Sequence, residues 1–180
     1  VDMTINALRA FGAEVCRTEQ GFAVDGGGYR AADNVEIEGD WSNAAFWLCA
    51  NAIAGSVRVD GLNLESAQGD RRAVQEIEAI CAEKMHLLDA SGIPDLAPAL
   101  AALAAARGQG LRIAHAERLR MKESDRIASI VRAINALGGC ARETEDGLII
   151  ESDHGLSGGA VDAAGDHRIA MMAAIASIGC

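Results

Sequence analysis

The sequence predicts an α/β (α+β) fold built from repeated βαβαββ units. Half of the residues are hydrophobic but only 3% are aromatic, and runs such as "LAPALAALAAA" consist mainly of Ala and Leu. This composition favours closely packed helices over β-sandwiches. A shift of 126 residues, from Ala7 to Ala133, also aligns two segments without a gap, "ALRAFGAEVCRTEQGFAV" and "AINALGGCARETEDGLII". Such a repeat indicates a supersecondary unit that occurs more than once in the chain.

Each aligned copy contains the same order of elements. The first copy begins with "VDMTINALRAFG", a helical pattern in which Asp2 is the predicted N-cap and Gly12 closes the helix. Two short strands follow, joined by an "EQG" turn in the first copy and an "EDG" turn in the second. Asp40 and Asp166 then cap the Ala-rich helices "WSNAAFWLCANAIAG" and "HRIAMMAAIASIG".

A middle copy is shorter. Its helices are predicted at "DRRAVQEIEAI" and "IPDLAPALAALAAARG", with Asp95 as the N-cap of the second and Pro98 tolerated in its first turn. Asp40 and Asp95 are 55 residues apart, whereas Asp95 and Asp166 are 71 apart, so the middle copy lacks 16 residues. The missing part is where the hairpin belongs.

Two segments between the copies alternate in the manner of strands: Ser56–Leu62, "SVRVDGL", and Leu111–Glu117, "LRIAHAE". Helices in such a repeat point the same way, so we expect their N-termini to converge on one face and to attract anions there. The predicted helix starts are Asp40, Asp95, Lys122-Glu123 and Asp166.

Composition excludes several functional classes. The formal net charge of −10 and the sequence pI of about 4.8 argue against nucleic-acid or anionic-membrane partners. The five cysteines stand 32 or more residues apart without a CxxC pair, which argues against a metal site and a disulfide framework and favours reduced thiols in a cytosol. No apolar run reaches the length of a membrane span, so we expect a soluble, cytoplasmic protein. Because both ends fall inside predicted elements, we also expect a piece of a longer protein.

The stretch "RLRMKESDRI" is the first candidate for chemistry. Arg118, Arg120 and Lys122 alternate, so an extended backbone projects them to one side just before the predicted helix. Lys122 and Arg126 are four residues apart on one helical face, and Glu123 and Arg126 are three apart on an adjoining one. Ordinary exposed ion pairs explain this spacing, but basic residues at a helix N-terminus oppose the dipole and favour a bound anion.

Two further stretches carry candidate residues. "GDHRIAM" places an acid, an imidazole and a guanidinium, Asp166 to Arg168, at the start of an apolar helix, and "SGIPD" ends in Asp95. Taken singly, each is explained by a capping Asp followed by solvated side chains. The remaining histidines show no ligand spacing and are expected to be structural or solvated; they are His86, His115 and His154.

Together, "SGIPD", "LRMKESDRI" and "GDHRIAM", in this order and on matching positions of the repeat, closely resemble the 3-phosphoshikimate 1-carboxyvinyltransferase (EPSP synthase) family. "VEIEGDWSNAAFWLCANAIAG" and "LNLESAQGD" extend the resemblance through essentially the whole chain. It implies two hinged inside-out barrel domains of three βαβαββ units each. Residues 1–38 would then be the tail of one domain, and residues 39–180 most of the other, truncated at its C-terminus.

The resemblance also implies a reaction. The enolpyruvyl group of phosphoenolpyruvate is transferred to the 5-hydroxyl of shikimate 3-phosphate by addition and then elimination of phosphate, without a metal or redox cofactor. Arg126 and Arg168 are then expected to bind the phosphoenolpyruvate carboxylate, and Lys122 to contact the shikimate ligand and the reacting region. Small-molecule substrates and a monomeric full-length protein follow from the same resemblance.

The proton-transfer residues are carried over in the same way. Asp95 matches the family's base for the attacking hydroxyl, Glu123 its partner in proton transfer at the methylene carbon, and His167 the group that steadies this partner. The chain lacks the family's other substrate-binding segments and a further catalytic lysine, so we expect it to be inactive alone. The alternatives are UDP-N-acetylglucosamine enolpyruvyl transferase, which shares the fold but differs in motifs, and a non-catalytic anion-binding homologue.

Overall fold

A computed structural model describes residues 1–30 and 34–180, which divide into two compact units. The first comprises Val1–Gly39 together with Gly61–Gln68, and the second comprises Asp40–Asp60 together with Gly69–Cys180. The two hydrophobic clusters of buried residues follow this division, since one lies in each unit.

The first unit contains one helix and one hairpin. Helix α1 (Asp2–Ala10) is followed by the antiparallel strands β1 (Val15–Thr18) and β2 (Gly21–Val24). Its buried apolar residues are Ile5, Ala13 and Val15. The predicted hairpin and its "EQG" turn are therefore confirmed.

The ends of α1 agree with the sequence prediction at one end only. Gly12 has a φ of 78° and its N–H bonds to the Arg9 carbonyl, as expected of a glycine that closes a helix. The prediction of Asp2 as N-cap is wrong, because Val1 is the flanking residue and Asp2 lies in the first turn. The Asp2 carboxylate pairs with Arg17 of β1 instead.

The second unit packs five helices with a four-stranded sheet. The helices are α2 (Trp41–Ala54), α3 (Ala73–Ala82), α4 (Ala97–Ala106), α5 (Arg126–Ala136) and α6 (His167–Ala176). The strands are β3 (Met85–Asp89), β4 (Gly110–Ala114), β5 (Ala141–Glu143) and β6 (Leu148–Ile150). They are ordered β3-β4-β6-β5, with β3 parallel to β4 and the other pairs antiparallel.

Helix α4 lies at the centre of this unit. Every residue from Ala97 to Ala105 is buried, and the helix packs against α2, α3, α5 and α6. A helix that is apolar on all sides requires such a position. Its alanines leave room for the neighbouring helices to approach closely, which explains the low aromatic content.

The repeat appears in the structure as predicted. The hairpin β5–β6 corresponds to β1–β2, whereas the middle copy has the single strand β3 between α3 and α4. The missing hairpin is thus confirmed. Gly147 of the "EDG" turn is required by packing, because a Cβ there would lie 2.0 Å from the Ile113 carbonyl oxygen.

Two strand predictions need correction. Ser56–Leu62 pairs with no described strand, and the Val57 N–H bonds to the Asn51 side chain instead. Alternation alone does not make a strand when no neighbour supplies the ladder. The second segment forms β4 but stops at Ala114, since His115 has a φ of 53° and leaves the extended conformation.

Two further predictions concern the state of the cysteines and the length of the apolar helices. All five cysteines are free thiols. None of the helices formed by residues 1–30 and 34–180 combines the length and apolar character needed to cross a membrane.

Candidate active site

All candidate residues lie in the second unit, but the "RLRMKESDRI" stretch is not the helix start that was predicted. Glu117–Met121 forms a 3₁₀ turn, the next four residues are a loop, and α5 begins at Arg126 with Asp125 as its N-cap. The prediction that Arg118, Arg120 and Lys122 project to one side of an extended backbone is therefore wrong. Arg120 pairs with Asp125 and Glu143, whereas Lys122 points to Asp95.

Arg126 is the buried centre of the site, with a side chain only 3% exposed. Its Nε donates to Asp166 Oδ2 at 2.7 Å and its Nη2 to Asp166 Oδ1 at 3.2 Å. Its Nη1 donates to Asp95 Oδ1 at 2.9 Å. The planar guanidinium thus joins two carboxylates that are far apart in the sequence.

Asp95 is the point at which three cations meet. Besides Arg126, Lys122 Nζ lies 3.2 Å from Asp95 Oδ1, and Arg168 Nη2 lies 3.6 Å from Asp95 Oδ2. Burial disfavours the charged form of Asp95, but the charges of Arg168, Lys122 and Arg126 outweigh it and lower its pKa.

This cluster explains why Asp95 is not an N-cap. It lies inside the 3₁₀ turn Pro94–Leu96, and Leu96 is the residue that flanks α4, without a side-chain cap. The predicted capping role is therefore wrong. The carboxylate is turned towards the cations instead.

Asp166 is a site residue that the sequence revealed only as an N-cap. It does cap α6, accepting from the Arg168 N–H at 2.9 Å, and it also accepts from Ser124 Oγ and Arg126. Burial opposes its ionisation, but the hydrogen bonds from Arg126, the Arg168 N–H and Ser124 prevail and lower its pKa to about 2. One signal was available: Arg126 shares a helical face with Ile130 and Ala133, which predicts a buried guanidinium in need of a carboxylate.

Glu123 and His167 form a more exposed pair. His167 Nδ1 lies 2.7 Å from Glu123 Oε2, and their side chains are 55% and 48% exposed. The pair adjoins the buried residues, because ligand atoms of Glu123, His167 and Asp166 lie within 4.8 Å of one another. Although this trio has metal-ligand chemistry, a cation there would compete with Arg126 for Asp166.

Asp70 is a further carboxylate that sequence reasoning missed. It lies half-buried in the 3₁₀ turn Gly69–Arg72 and accepts a hydrogen bond from Ser42 Oγ in the first turn of α2. Burial raises its pKa, the Ser42 bond opposes this rise, and the negative charge of Asp95 adds to it. Asp40 caps α2 through the Ser42 N–H, as predicted.

The arrangement combines the two requirements of chemistry on a small anion. Three fixed cations are suited to bind carboxylate or phosphate oxygens. The second carboxylate, Glu123, lies outside this group next to an imidazole, as acid–base chemistry requires. Arg126 and Arg168 come from the starts of α5 and α6, whereas Lys122 and Glu123 come from the loop before α5, so helix N-termini supply only part of the site.

The comparison with protein families identifies the chain. The model of the EPSP synthase (3-phosphoshikimate 1-carboxyvinyltransferase) family matches residues 1–180. The chain belongs to this family. The resemblance inferred from the three motifs is therefore confirmed, and so is the predicted enolpyruvyl-transferase-like fold.

Similar family members come from diverse organisms. The 3-phosphoshikimate 1-carboxyvinyltransferase of Clostridium acetobutylicum is 38% identical over 195 residues, which cover 100% of this chain and 45% of that protein. That of Methanocorpusculum labreanum is 37% identical over 193 residues, covering 99% of this chain and 46% of that protein. The solved EPSP synthase of Acinetobacter baumannii has a TM-score of 0.83 at 26% identity, covering 99% of this chain and 48% of its own. The chain thus spans about half the length of the relatives it matches.

Membership in the EPSP synthase family does not by itself test individual residues. The structure brings six predicted residues into two adjoining groups, Asp95 with Lys122, Arg126 and Arg168, and Glu123 with His167. Their chemical roles stay predictions.

Proposed function

We propose that this chain supplies half of an active site that transfers the enolpyruvyl group of phosphoenolpyruvate to the 5-hydroxyl of shikimate 3-phosphate, releasing phosphate. The observation that carries the proposal is the convergence of Lys122, Arg126 and Arg168 on Asp95, beside the Glu123–His167 pair. Both substrates are phosphorylated carboxylates and require fixed cations. The names of the relatives support the same reaction.

The two arginines bind the phosphoenolpyruvate carboxylate. Arg126 uses three of its donors for Asp95 and Asp166, and a guanidinium has five. Arg168 is 12% exposed, and its contacts to Asp95 are long, at 3.4 Å and 3.6 Å, so it reorients towards a ligand at small cost. Lys122 contacts the shikimate ligand and the reacting region.

The carboxylates move the protons. Asp95 accepts the proton of the attacking 5-hydroxyl while the hydroxyl oxygen forms its bond to C2 of phosphoenolpyruvate. Glu123 protonates the methylene carbon in the addition step and removes a proton from it when phosphate leaves. His167 steadies Glu123 through the 2.7 Å hydrogen bond.

The remaining features of the proposal concern the protein as a whole. It acts as a cytoplasmic monomer on small molecules, without a metal or redox cofactor and without nucleic-acid or membrane partners; the net charge of −10 supports the exclusion of nucleic acid.

Residues 1–38 belong to one domain and residues 39–180 to the other. The division after Gly39 supports this boundary, although Gly61–Gln68 groups with the first unit. The chain alone is inactive.

Phosphate release by the full-length protein tests the proposed function. We expect release from phosphoenolpyruvate with shikimate 3-phosphate and none with UDP-N-acetylglucosamine. Release only with the latter would identify the related transferase, and release with neither would indicate an anion-binding homologue.

A variant pair tests the assignment of Arg168. Arg168→Gln removes one cation from the cluster and is expected to raise the KM for phosphoenolpyruvate by about tenfold or more, because a charge-assisted bond to the carboxylate is lost. Arg118→Gln removes an exposed cation of the neighbouring 3₁₀ turn and is expected to leave KM unchanged. Equal effects of both variants would show that general surface charge, and not this cluster, sets the affinity.

A further inference from the structure

The cations assigned to the substrates already share an anion within the protein. Lys122, Arg126 and Arg168 approach the two carboxylate oxygens of Asp95 at 3.2, 2.9 and 3.6 Å. A substrate carboxylate or phosphate that binds the same three cations therefore competes with Asp95 for their positive charge.

The charges around Asp95 come from four different elements. Lys122 lies in the loop before α5, Arg126 and Arg168 lie in α5 and α6, and Asp70 lies in the turn before α3. Asp166 draws on the charge of Arg126 as well, through two hydrogen bonds. Lys122 and Arg168 have no second carboxylate among their ion pairs in the described residues, so their charge goes mainly to Asp95.

We propose that Asp95 is an internal competitor for the anion site, and that binding of the substrate anion to the three cations releases Asp95 to act as a base. The proposal rests on the proposed function and adds a second role for Asp95, in setting substrate affinity. On release, the proton of the acceptor hydroxyl passes to an Asp95 carboxylate oxygen while the hydroxyl oxygen forms its bond to C2 of phosphoenolpyruvate.

The physical reason lies in what the cations do to the carboxylate. While they contact Asp95, they stabilise its charged form and make it a poor proton acceptor, in agreement with its lowered pKa. A bound anion takes up these charges and adds its own negative charge, and both effects make Asp95 more basic. The base is thereby activated only when the substrate is in place.

Substrate affinity gives the first test. In the full-length protein, with shikimate 3-phosphate present, Asp95→Asn is expected to bind phosphoenolpyruvate about tenfold more tightly in a calorimetric titration, because the competing charge is gone. The matched control is Asp89→Asn, which removes a 55% exposed carboxylate six residues earlier and is expected to leave the affinity unchanged. Unchanged or weaker binding by Asp95→Asn would overturn the competition.

The basicity of Asp95 gives the second test. In protein labelled with ¹³C at the aspartate carboxyl groups, the Asp95 signal is identified by its absence from Asp95→Asn and followed as a function of pH. Saturating phosphoenolpyruvate is expected to move its titration midpoint up by about one pH unit or more. An equal or lower midpoint would overturn the release step.

The two proposals fail in different ways. If the wild-type protein binds phosphoenolpyruvate but releases no phosphate, the proposed function fails while both competition tests can still be read. If phosphate is released but Asp95→Asn gains no affinity, only the present inference fails. Absence of binding by the wild type would overturn both.

Discussion

Unlike Asp95, Glu123 has no lysine or arginine among its ion-pair partners in the described part of the chain. Replacing Glu123 with Gln keeps the size of the side chain but removes its ability to exchange a proton. We expect turnover of the full-length protein to fall by about a hundredfold or more, whereas phosphoenolpyruvate affinity changes little. Steady-state kinetics and a binding titration measure the two quantities.

The matched control for this variant is Glu117→Gln, which alters an exposed carboxylate at the start of the adjoining 3₁₀ turn. It is expected to behave as wild type. Parallel losses of turnover and affinity in Glu123→Gln would contradict a role in proton transfer and indicate a binding role instead.

Arg126 is expected to contribute to stability, in addition to its proposed role in binding. Its side chain is almost fully buried between Asp95 and Asp166, and Lys cannot reproduce the three donors of the guanidinium. Arg126→Lys is therefore expected to lower the free energy of unfolding by about 2 kcal/mol, since at least one buried carboxylate oxygen loses its partner. Urea denaturation followed by circular dichroism measures the change.

Arg142→Lys serves as the comparison, because Arg142 forms an exposed ion pair with Glu151. Such pairs contribute little, so we expect a change within about 0.5 kcal/mol. Similar losses in both variants would show that the burial of Arg126 confers no special stability.

His86 of strand β3 lies between two carboxylates, Glu76 of helix α3 and Glu83 just after that helix. His86 Nε2 lies 2.9 Å from Glu76 and Nδ1 lies 2.9 Å from Glu83. Both ring nitrogens can donate only in the protonated form. Burial disfavours the charged imidazolium, but the bonds to Glu76 and Glu83 outweigh it and raise the pKa of His86. This histidine is therefore structural, as the sequence led us to expect.

A raised pKa fixes the sign of a pH effect. The stabilisation is complete below the unfolded-state pKa of about 6.5 and is lost as the pH rises through the folded-state value. We expect the free energy of unfolding of wild type minus that of His86→Gln to be larger at pH 6 than at pH 9. The matched control is His154→Gln, which removes an exposed histidine. A difference independent of pH would mean that His86 acts by packing alone.

The elements that could be predicted are those determined by neighbouring residues. Asp40 and Asp166 cap their helices by accepting a hydrogen bond from the backbone N–H two residues further along the chain. This contact involves only neighbouring residues, so it can be predicted from local sequence. The prediction that Asp95 caps a helix is wrong because its partners Arg126 and Arg168 lie 31 and 73 residues further along the chain. Interactions with such distant residues cannot be predicted from local sequence. The predicted strand at Ser56–Leu62 is absent for a related reason, since a strand requires an adjacent strand to accept and donate its backbone hydrogen bonds.

The candidate site shows the same limit. The three motifs "IPD", "KESDR" and "DHR" contain six residues that the structure brings together in two adjoining groups. They gave no indication of Asp70 and indicated Asp166 only as a helix cap, because the contacts of these carboxylates with Ser42 and Arg126 are made across the fold. Burial and hydrogen bonding become visible only in three dimensions.

The two units should differ in stability. The first has a two-stranded hairpin and only three buried apolar residues among those described, whereas the second has a large core around α4. A hairpin of this kind is marginal in water. We therefore expect amides of β1–β2 to exchange with deuterium about a hundredfold faster than those of β4–β6, as measured by mass spectrometry of the 180-residue chain. Equal protection would show that the hairpin opens only when the whole chain unfolds.

The cation cluster lies in a chain whose formal net charge is −10. At 0.1 M ionic strength, fields extend only about 10 Å, so the three cations act on a ligand that is almost in contact, while the acidic surface repels a dianion from further away. Added salt weakens the long-range repulsion before it weakens the partly buried cluster. We therefore expect moderate salt to accelerate the association of a small dianion with this chain, the reverse of the behaviour of proteins that steer anions with a basic surface.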